Sequence, residues 1–367
     1  MEKKVCYVIT NPMIAANRSA EVTLSKFLRV ISATYDEIHV VGGNLTIESD
    51  VNATLHTWNI LRSKNKAKRL WDISQLQAKM AWYLLKTVSR NTTVYFWIGD
   101  KMLLPFLAAK SKRADIRYFL YGNVLKEGRA STAVKISGKI IAWMANHADS
   151  VCVESPGVLK EWDGLIHNKK HRFIHLYTDM PASCVHTERE SVIGMLCRLT
   201  EGKHVLESIE AFSEFHKTHP SYRMEIVGSG KQEQLCRELV ERLNAESYIH
   251  LLGWIDHEHI PKAIKHWKYL LFPTDTEGMP NSVLEAMGCG IPVLASPVGG
   301  LCDLIQPGEN GWFLQNTKKD GILSGLNLAV SADNEYSITS EAACETVYGG
   351  FNLAVAQIHA KENCHNN

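Results

Sequence analysis

Two glutamates, Glu277 and Glu285, are the residues best placed to do chemistry in this chain, and seven residues separate them. Gly278 and Pro280 predict a turn after the first glutamate, and residues 282–287 predict a short helix. The first turn of a helix offers unpaired backbone N–H groups and the positive end of a dipole, and both favour an anion. Glu285, one turn into the helix, can reach back to whatever the anion carries. The pattern therefore predicts a nucleotide-diphosphate site.

The predicted turn and the start of the helix supply further candidate contacts, namely Gly278, Met279, Pro280, Asn281 and Ser282. Two glutamates at this spacing are common by chance, and an ordinary strand–turn–helix corner with two solvated carboxylates would also show them. The full pattern of residues 276–293, which returns through small residues into an apolar strand, is much less common.

Strands and helices alternate along the whole chain, which predicts an α/β protein with parallel sheets covered by helices on both faces. At 367 residues, two domains of ordinary size are expected. We predict an N-terminal domain at residues 1–180 and a C-terminal domain at residues 181–347. A polar linker is expected within residues 178–190, and a helix at about 348–362 could cross back onto the first domain.

Two predicted strand ends in the second half add positive charge and a glycine turn. After the strand at 192–196, Arg198 and Lys203 precede a helix, and such a pair can clamp two phosphates at the carboxyl end of a parallel sheet. Gly228 and Gly230 form a Gly-x-Gly turn after the next strand, which alone is a weak signal. Isolated cations at these positions would more often be plain surface residues.

In combination, these motifs resemble retaining glycosyltransferases of family 4, which have the GT-B fold of two Rossmann-like domains facing a central cleft. The resemblance is extensive over residues 192–314 and only topological over the first 180. It implies that Arg198 and Lys203 stabilise the diphosphate, that Glu277 holds the donor sugar and that Glu285 accepts from ribose hydroxyls. Trp254 and Ile255 resemble the segment beside the base, although Trp254 could equally belong to the core.

The first domain departs from the family pattern at its strand ends. Family members usually carry glycines after the first strand, whereas this chain has Asn11 and Pro12 there. Tyr121 occupies the strand end where many members place a histidine, and a tyrosine is a poor base near neutral pH. We keep Asn11, Tyr121 and Asp100 as candidate acceptor contacts and assign no catalytic histidine.

Charge is divided unevenly between the two halves. Residues 1–178 carry 26 Lys and Arg against 14 Asp and Glu, whereas residues 179–367 carry 14 against 25. Clusters of cations would attract the first domain to an anionic membrane. These clusters are Lys64, Lys66, Lys68 and Arg69, and then Lys110, Lys112 and Arg113. Solvated faces explain most such clusters, and nucleic acid ranks lower because aromatic residues are not interleaved with the cations.

Expectations about location and cofactors rest on motifs that the sequence lacks. No apolar run reaches the roughly 18 to 20 residues that span a bilayer. The apolar run at residues 5–9 is too short for the core of a signal peptide. We therefore expect a cytoplasmic protein, peripheral at the inner face of the membrane at most. The nine cysteines show no zinc-ligand spacing, which favours reduced, mostly buried thiols. No Asp-x-Asp motif is present, so we predict no metal and no cofactor.

The resulting prediction is a retaining glycosyltransferase that moves a sugar from a nucleotide-diphosphate donor, a UDP-sugar, to a hydroxyl acceptor. The acceptor is expected to be a saccharide or a lipid-linked glycan of the cell envelope. A non-catalytic sugar-nucleotide-binding protein or a sugar-nucleotide epimerase on the same scaffold is the alternative. A phosphorylase would need a lysine for pyridoxal phosphate and a longer chain.

Overall fold

The computed structural model describes residues 3–12, 18–46, 51–60, 65–97, 101–123, 132–179 and 189–365. The chain forms two compact units. The first contains Met1–Glu154, Trp162–Leu176 and Ala356–Asn367, and the second contains Ser155–Glu161 and Tyr177–Val355. The predicted domain boundary near residue 180 and most of the predicted linker lie outside the described residues.

The first unit contains a seven-stranded parallel sheet with strand order β3-β2-β1-β4-β5-β6-β7. Its strands are β1 (Val5–Ile9), β2 (Glu37–Gly43), β3 (Ala53–Trp58), β4 (Thr93–Phe96), β5 (Asp115–Phe119), β6 (Ser150–Val153) and β7 (His171–Phe173). Its sheet is accompanied by helices α1 (Arg18–Ser32), α2 (Lys66–Thr87), α3 (Leu103–Ser111) and α4 (Thr132–His147). The central strands are buried on both sides, as expected for a parallel sheet between helices.

The second unit contains a six-stranded parallel sheet with strand order β10-β9-β8-β11-β12-β13. Its strands are β8 (Val192–Leu196), β9 (Arg223–Val227), β10 (Ile249–Gly253), β11 (Tyr269–Phe272), β12 (Val293–Ala295) and β13 (Gly311–Phe313). Its helices are α5 (Pro156–Lys160), α6 (Val205–His216), α7 (Glu233–Arg242), α8 (Ile260–Ile264), α9 (Asn281–Gly288), α10 (Leu301–Leu304), α11 (Lys319–Ser331) and α12 (Tyr336–Gly350).

Packing in the second unit is tight around β8. Two apolar clusters cover the sheet, one with residues of α9 and the other with residues of α6 and α7. A Cβ at Gly194 would lie 1.9 Å from the Trp267 ring, so only glycine lets this indole cross β8. The site-bearing loops therefore leave a rigid sheet.

The C-terminal helix α13 (Leu353–His365) follows α12 after a short break. Its residues from Ala356 onwards belong to the first unit. The Gln357 side-chain amide donates to the Arg29 carbonyl at 3.0 Å, and His359 Nδ1 lies 2.8 Å from His175 Nε2. Where the sequence predicts one helix at about 348–362, the structure has two, because the helix stops before Phe351 and Asn352.

The predicted fold class, two Rossmann-like α/β units with parallel sheets, is confirmed by the two strand orders. The sequence analysis missed β3 and helices α10 to α12. Among the described residues, no helix has both the length and the apolar character needed to cross a bilayer.

Candidate functional site

The strand order of the second sheet reverses between β8 and β11, which are neighbours in space but not in sequence. At such a reversal the loops leaving two adjacent strands diverge to opposite faces and open a crevice at their carboxyl ends, where α/β proteins bind ligands. The loop after β8 carries Arg198 and Lys203, and the loop after β11 carries Glu277 and leads into α9. The topology thus brings together two motifs that are about 80 positions apart in the sequence.

Lys203 and Glu277 form the centre of this group. The Lys203 ammonium donates to the Glu277 carboxylate and lies 3.3 Å from Thr274 Oγ1. Thr274 Oγ1 in turn lies 3.2 Å from Glu277 Oε1. The ammonium is also 4.6 Å from the Phe272 ring centroid. Each of the two charged side chains is 15% exposed, so the ion pair is mostly buried but still open to an incoming anion.

The environment of Lys203 makes its charge sensitive to pH. Burial lowers the pKa of Lys203 to about 8, and the nearby positive charge of Arg198 acts in the same direction, while Cys197 and Asp275 act against it. Below that pH the ammonium is charged and paired with Glu277. A buried cation that is poised near neutral pH is a common feature of functional sites.

Arg198 lies on the same loop and is exposed. Among the residues that the structure describes, no hydrogen bond or ion pair holds its guanidinium. Its electrostatic effect on Lys203 shows that the two cations share one environment. Arg198 is thus a positive group available to a ligand, and its role in holding a diphosphate stays a prediction.

The glycine turn after β9 packs against the Arg198 loop. A Cβ on Gly228, whose φ is +139°, would lie 1.9 Å from the Cys197 carbonyl oxygen, and one on Gly230 would lie 2.3 Å from that of Leu199. The Leu199 N–H also donates to the Ser229 carbonyl at 3.0 Å. These glycines therefore let the two loops touch and fix the backbone on both sides of Arg198. A contact between the glycines and a nucleotide stays a prediction.

A second polar contact joins the loops beside Lys203. His204 Nε2 lies 2.6 Å from Asp275 Oδ1, and the Asp275 N–H donates to the Gly202 carbonyl at 3.1 Å. His204 adopts the left-handed conformation at φ +47° and ψ +40°, which is uncommon for residues other than glycine. The sequence analysis missed both residues, although His204 directly follows Lys203.

Glu285 lies inside the second unit. Its side chain is 5% exposed, and Oε1 is 2.9 Å from His257 Nε2. His257 follows Trp254 by three residues, so the segment after β10 brings an imidazole close to this carboxylate, a neighbour that the sequence analysis did not identify. His257 Nε2 is buried and makes no hydrogen bond within the described part of the chain, so the two groups are close in space without a hydrogen bond between them.

The turn between Glu277 and α9 is held by backbone contacts. A Cβ on Gly299, at φ +51°, would lie 1.9 Å from the Glu277 carbonyl oxygen, and the Gly300 N–H donates to the Gly278 carbonyl at 2.9 Å. Thr276 Oγ1 donates to Glu161 Oε2 at 2.9 Å. The glycine pair after β12 thus fixes the backbone next to Glu277.

The remaining predicted contacts around α9 differ in exposure. Pro280 occupies the N-cap position of the helix, Met279 is buried, and Asn281 and Ser282 are half-buried in its first turn. The early N–H groups of a helix lack intrahelical partners, so this end of α9 suits an anion.

Trp254 and Ile255 follow β10. Trp254 is 51% exposed, which excludes the alternative that it belongs to the core. Ile255 packs at the edge of an apolar cluster. An exposed indole is available to a planar ligand group, and its contact with a base stays a prediction.

In the first unit, Asn11 lies two residues beyond the end of β1 and is half-buried. Tyr121 follows β5, its carbonyl accepts from Trp162 Nε1 at 2.7 Å, and its ring packs 6.1 Å from that of Phe119. Asp100, also predicted as an acceptor contact, lies outside the described residues. Within the described ranges, no group of three or more His, Cys, Asp or Glu side chains is arranged to hold a metal ion.

Comparison with known proteins shows what the second half of the chain is similar to. Residues 178–346 match the family model of glycosyl transferases group 1. The chain carries a group 1 glycosyltransferase domain. This confirms the resemblance inferred from the motifs, since the matched range contains Arg198, Lys203, Glu277 and Glu285.

Curated relatives share this domain. The putative colanic acid biosynthesis glycosyltransferase WcaL of Salmonella typhimurium is 28% identical over 137 residues, which are 36% of this chain and 34% of that protein. The GtfA subunit of the Streptococcus pneumoniae UDP-N-acetylglucosamine–peptide N-acetylglucosaminyltransferase is 31% identical over 121 residues, 33% of this chain and 24% of the relative. The chain thus matches about a third or less of the length of these relatives.

The match to solved structures covers more of the chain than the match to these relatives does. The crystal structure of Anabaena HepE in complex with UDP matches at a TM-score of 0.75 and 16% identity, over 99% of this chain and 100% of that chain. Similarity at this identity shows a shared fold, and it extends the match through the first unit. The predicted GT-B fold is thereby confirmed.

Proposed function

We propose that this protein transfers a sugar from a nucleotide-diphosphate donor, a UDP-sugar, to a hydroxyl acceptor. One observation carries the proposal. The paired Lys203 and Glu277 and the exposed Arg198 lie at the carboxyl ends of β8 and β11, where the strand order reverses. The group 1 domain match covers the same residues.

The positive groups suit the chemistry of the leaving diphosphate. As the glycosidic bond to phosphate breaks, negative charge develops on the diphosphate, and fixed positive groups lower the barrier by stabilising it. Arg198 provides an exposed guanidinium, and Lys203 provides an ammonium that Glu277 holds in place before the donor arrives. The first turn of α9 adds backbone N–H groups. This arrangement supports diphosphate departure without a metal ion.

The two glutamates have different proposed roles. Glu277 shares its charge with Lys203 and is 15% exposed, so it can turn a carboxylate oxygen towards hydroxyls of the donor sugar. Glu285 is nearly buried beside His257, and its second oxygen would accept from the ribose. We propose retention of configuration, as the family resemblance implies, with the leaving phosphate accepting the proton of the attacking hydroxyl.

The proposed base is uracil. HepE is described with UDP bound, and the name of GtfA contains UDP-N-acetylglucosamine, which favours UDP for a chain that shares their fold or domain. The exposed Trp254 and the neighbouring Ile255 are the proposed base contacts, and the glycine turn of Gly228 and Gly230 would lie next to the nucleotide.

The proposed acceptor is a saccharide or a lipid-linked glycan, and Asn11 and Tyr121 are its candidate contacts. The excess of cations in residues 1–178 supports a peripheral contact with an anionic membrane at its cytoplasmic face. A lipid-linked acceptor would be found there.

The test combines binding and turnover. UDP, GDP and ADP are titrated by calorimetry, and release of each nucleotide from a panel of its sugars is then followed over hours. We expect tightest binding of UDP and slow hydrolysis of one UDP-sugar. Binding of UDP without release from any donor would favour the non-catalytic alternative, and interconversion of free sugar nucleotides would favour an epimerase. Absence of binding by all three would overturn the site.

A further inference from the structure

Helix α2 presents large apolar side chains to solvent. Leu70 is 67% exposed, Trp71 65%, Trp82 62% and Leu85 44%, although the helix belongs to a unit with a well-filled core. Its opposite side is buried through Leu76, Met80 and Leu84. Single exposed apolar residues are ordinary, but two tryptophans and two leucines on one helix indicate an interaction surface.

The four side chains lie on one side of the helix. At about 100° per residue, they fall within an arc of about 120°. The helix is 22 residues long and is capped by Asn65, whose side chain accepts from two backbone N–H groups of the first turn. The apolar stripe therefore lies on a regular, well-started helix and extends over most of its length.

Cations line one edge of the stripe. Lys68, Lys79 and Lys86 fall within about 20° of each other on the same wheel, next to Trp82. The Lys86 ammonium lies 3.3 Å from the centroid of the Trp82 ring. The whole helix carries five Lys and Arg residues against the single acidic residue Asp72.

A second helix extends the same surface. The Leu104 N–H at the start of α3 donates to Gln77 Oε1 of α2 at 3.1 Å, so the two helices lie side by side. Leu104 is 42% exposed and Leu107 45%. We call the exposed Leu70, Trp71, Trp82, Leu85, Leu104 and Leu107, with Lys68, Lys79 and Lys86, the α2 surface.

We propose that the α2 surface binds an anionic lipid bilayer, with the tryptophans and leucines in the headgroup region and the lysines against lipid phosphates. An apolar stripe edged by lysines on a helix too polar to span a bilayer is the pattern of helices that lie in a membrane interface. The charge complementarity selects an anionic membrane over a neutral one. The inference rests on the proposed peripheral membrane contact, and names the residues that make it.

This surface differs from the one that charge in the sequence indicates. Lys64 lies outside the described residues, and the Lys110 ammonium donates to the His147 carbonyl at 2.7 Å and pairs with Asp149 at 3.7 Å. Lys68 belongs both to the α2 surface and to the clusters of cations predicted from the sequence. The new element is the apolar stripe, which predicts that lipid binding depends on tryptophan as well as on lysine.

Co-sedimentation with vesicles tests the proposal. Vesicles of phosphatidylcholine alone are compared with vesicles that contain about 30% phosphatidylglycerol, an anionic fraction that gives a strong surface potential. We expect binding to the anionic vesicles, with at least about a tenfold loss of affinity in Trp71→Ser/Trp82→Ser and in Lys68→Gln/Lys79→Gln/Lys86→Gln. Ile338→Ser, at another exposed apolar residue (69%), should bind as the wild type does.

Each variant is also tested for UDP binding, which shows that it is folded and separates failure of this surface from failure of the proposed function. Unchanged vesicle binding by the tryptophan variant would overturn the proposal. Equal binding to neutral vesicles, or none to anionic ones, would overturn it too. A wild-type dimer in solution that the tryptophan variant loses would mean that a second copy covers the surface.

Discussion

The two sheets of this protein share a reversal of strand order but differ in the residues that follow their strands. In each, the strand order reverses beside the first strand of the unit, at β1 and β4 in one and at β8 and β11 in the other. After β8 and β11 come two cations, two carboxylates and a helix start. After β1 and β5 the described candidates are Asn11 and Tyr121, which carry no charge. The reversal provides a crevice, and the residues after the strands decide its chemistry.

The two regions also differ in how their loops are held. In the second unit the loops are tied to each other by Lys203 with Glu277, by His204 with Asp275 and by glycines without room for a Cβ. In the first unit, Tyr121 is held through its carbonyl and its ring. Preorganised charge is expected where the reaction develops charge, so we expect the larger catalytic contribution from the second unit.

Removal of the cations should have the largest effect. We expect Arg198→Ala and Lys203→Ala each to lower turnover about 100-fold or more, about 2.7 kcal/mol in the barrier, because each deletes a positive charge aimed at the diphosphate. Steady-state kinetics with the preferred donor measures it. Lys217→Ala removes an exposed lysine of the same unit that pairs with Glu214, and should keep wild-type rates. Wild-type turnover by a folded double variant would contradict the proposed role of these two cations in the second unit.

The pH dependence of UDP binding should sharpen the assignment of Lys203. Its pKa of about 8 means that the free protein loses this charge as pH rises above 8. UDP binding favours the charged form, so affinity should fall about tenfold per pH unit above that value. Calorimetric titration of UDP from about pH 6.5 to about pH 9.5 brackets this pKa and measures the decline. Lys203→Arg keeps its charge throughout, and should show a flat profile; a flat profile in the wild type would contradict the assignment.

The same shift predicts how stability depends on pH. Burial lowers the pKa in the folded protein from 10.5 to about 8, so between these values the unfolded chain binds more protons than the folded one. The free energy of unfolding of the wild type should therefore rise with pH in this window, relative to Lys203→Arg. Denaturant unfolding at about pH 8 and about pH 10 gives the comparison.

Much of the second unit could be predicted from sequence because its signals are local. The strand ends before Arg198 and Gly228, and the turn before α9, are marked by glycine, proline and short apolar runs. Strand β3 was missed because none of its residues is fully buried and its sequence gives no apolar run. Among the strands that the structure describes, it pairs with β2 alone, at the edge of the sheet.

The site's pairings could not be predicted because they join residues distant in sequence. Nothing local shows that Glu285 meets His257 or that Thr276 meets Glu161, since those contacts depend on the fold. The packing role of Gly228 and Gly230 against Cys197 and Leu199 likewise needs the structure. Exposure of Trp254 was undecidable from its neighbours, because Leu252 and Ile255 are also apolar.

His204 provides a finer test of how the second unit's loops are positioned. His204→Gly removes the contact with Asp275 and releases the strain of a left-handed side chain, of order 1 kcal/mol. We expect unchanged or higher thermal stability, with the donor KM raised by a few-fold and a smaller change in kcat, because a freer loop holds Lys203 less well. Asn244→Gly, at φ +51° after α7, releases similar strain away from the loops. If both variants have wild-type KM, the His204 contact is structural.

The smallest effect is expected at Tyr121, and it is the result that could break the comparison between the units. Tyr121→Phe keeps the ring packing and the carbonyl that accepts from Trp162, and it removes one neutral hydroxyl. A single neutral hydrogen bond contributes about 1 kcal/mol, so the acceptor KM should rise by about threefold to fivefold with kcat nearly unchanged. Tyr118→Phe, on β5 with its ring against Phe96 and Phe106, controls for loss of a tyrosine hydroxyl from this region, with thermal unfolding measured for both. A loss of kcat near 100-fold in Tyr121→Phe alone would place a group essential for the reaction in the first unit, as large in effect as Arg198 or Lys203.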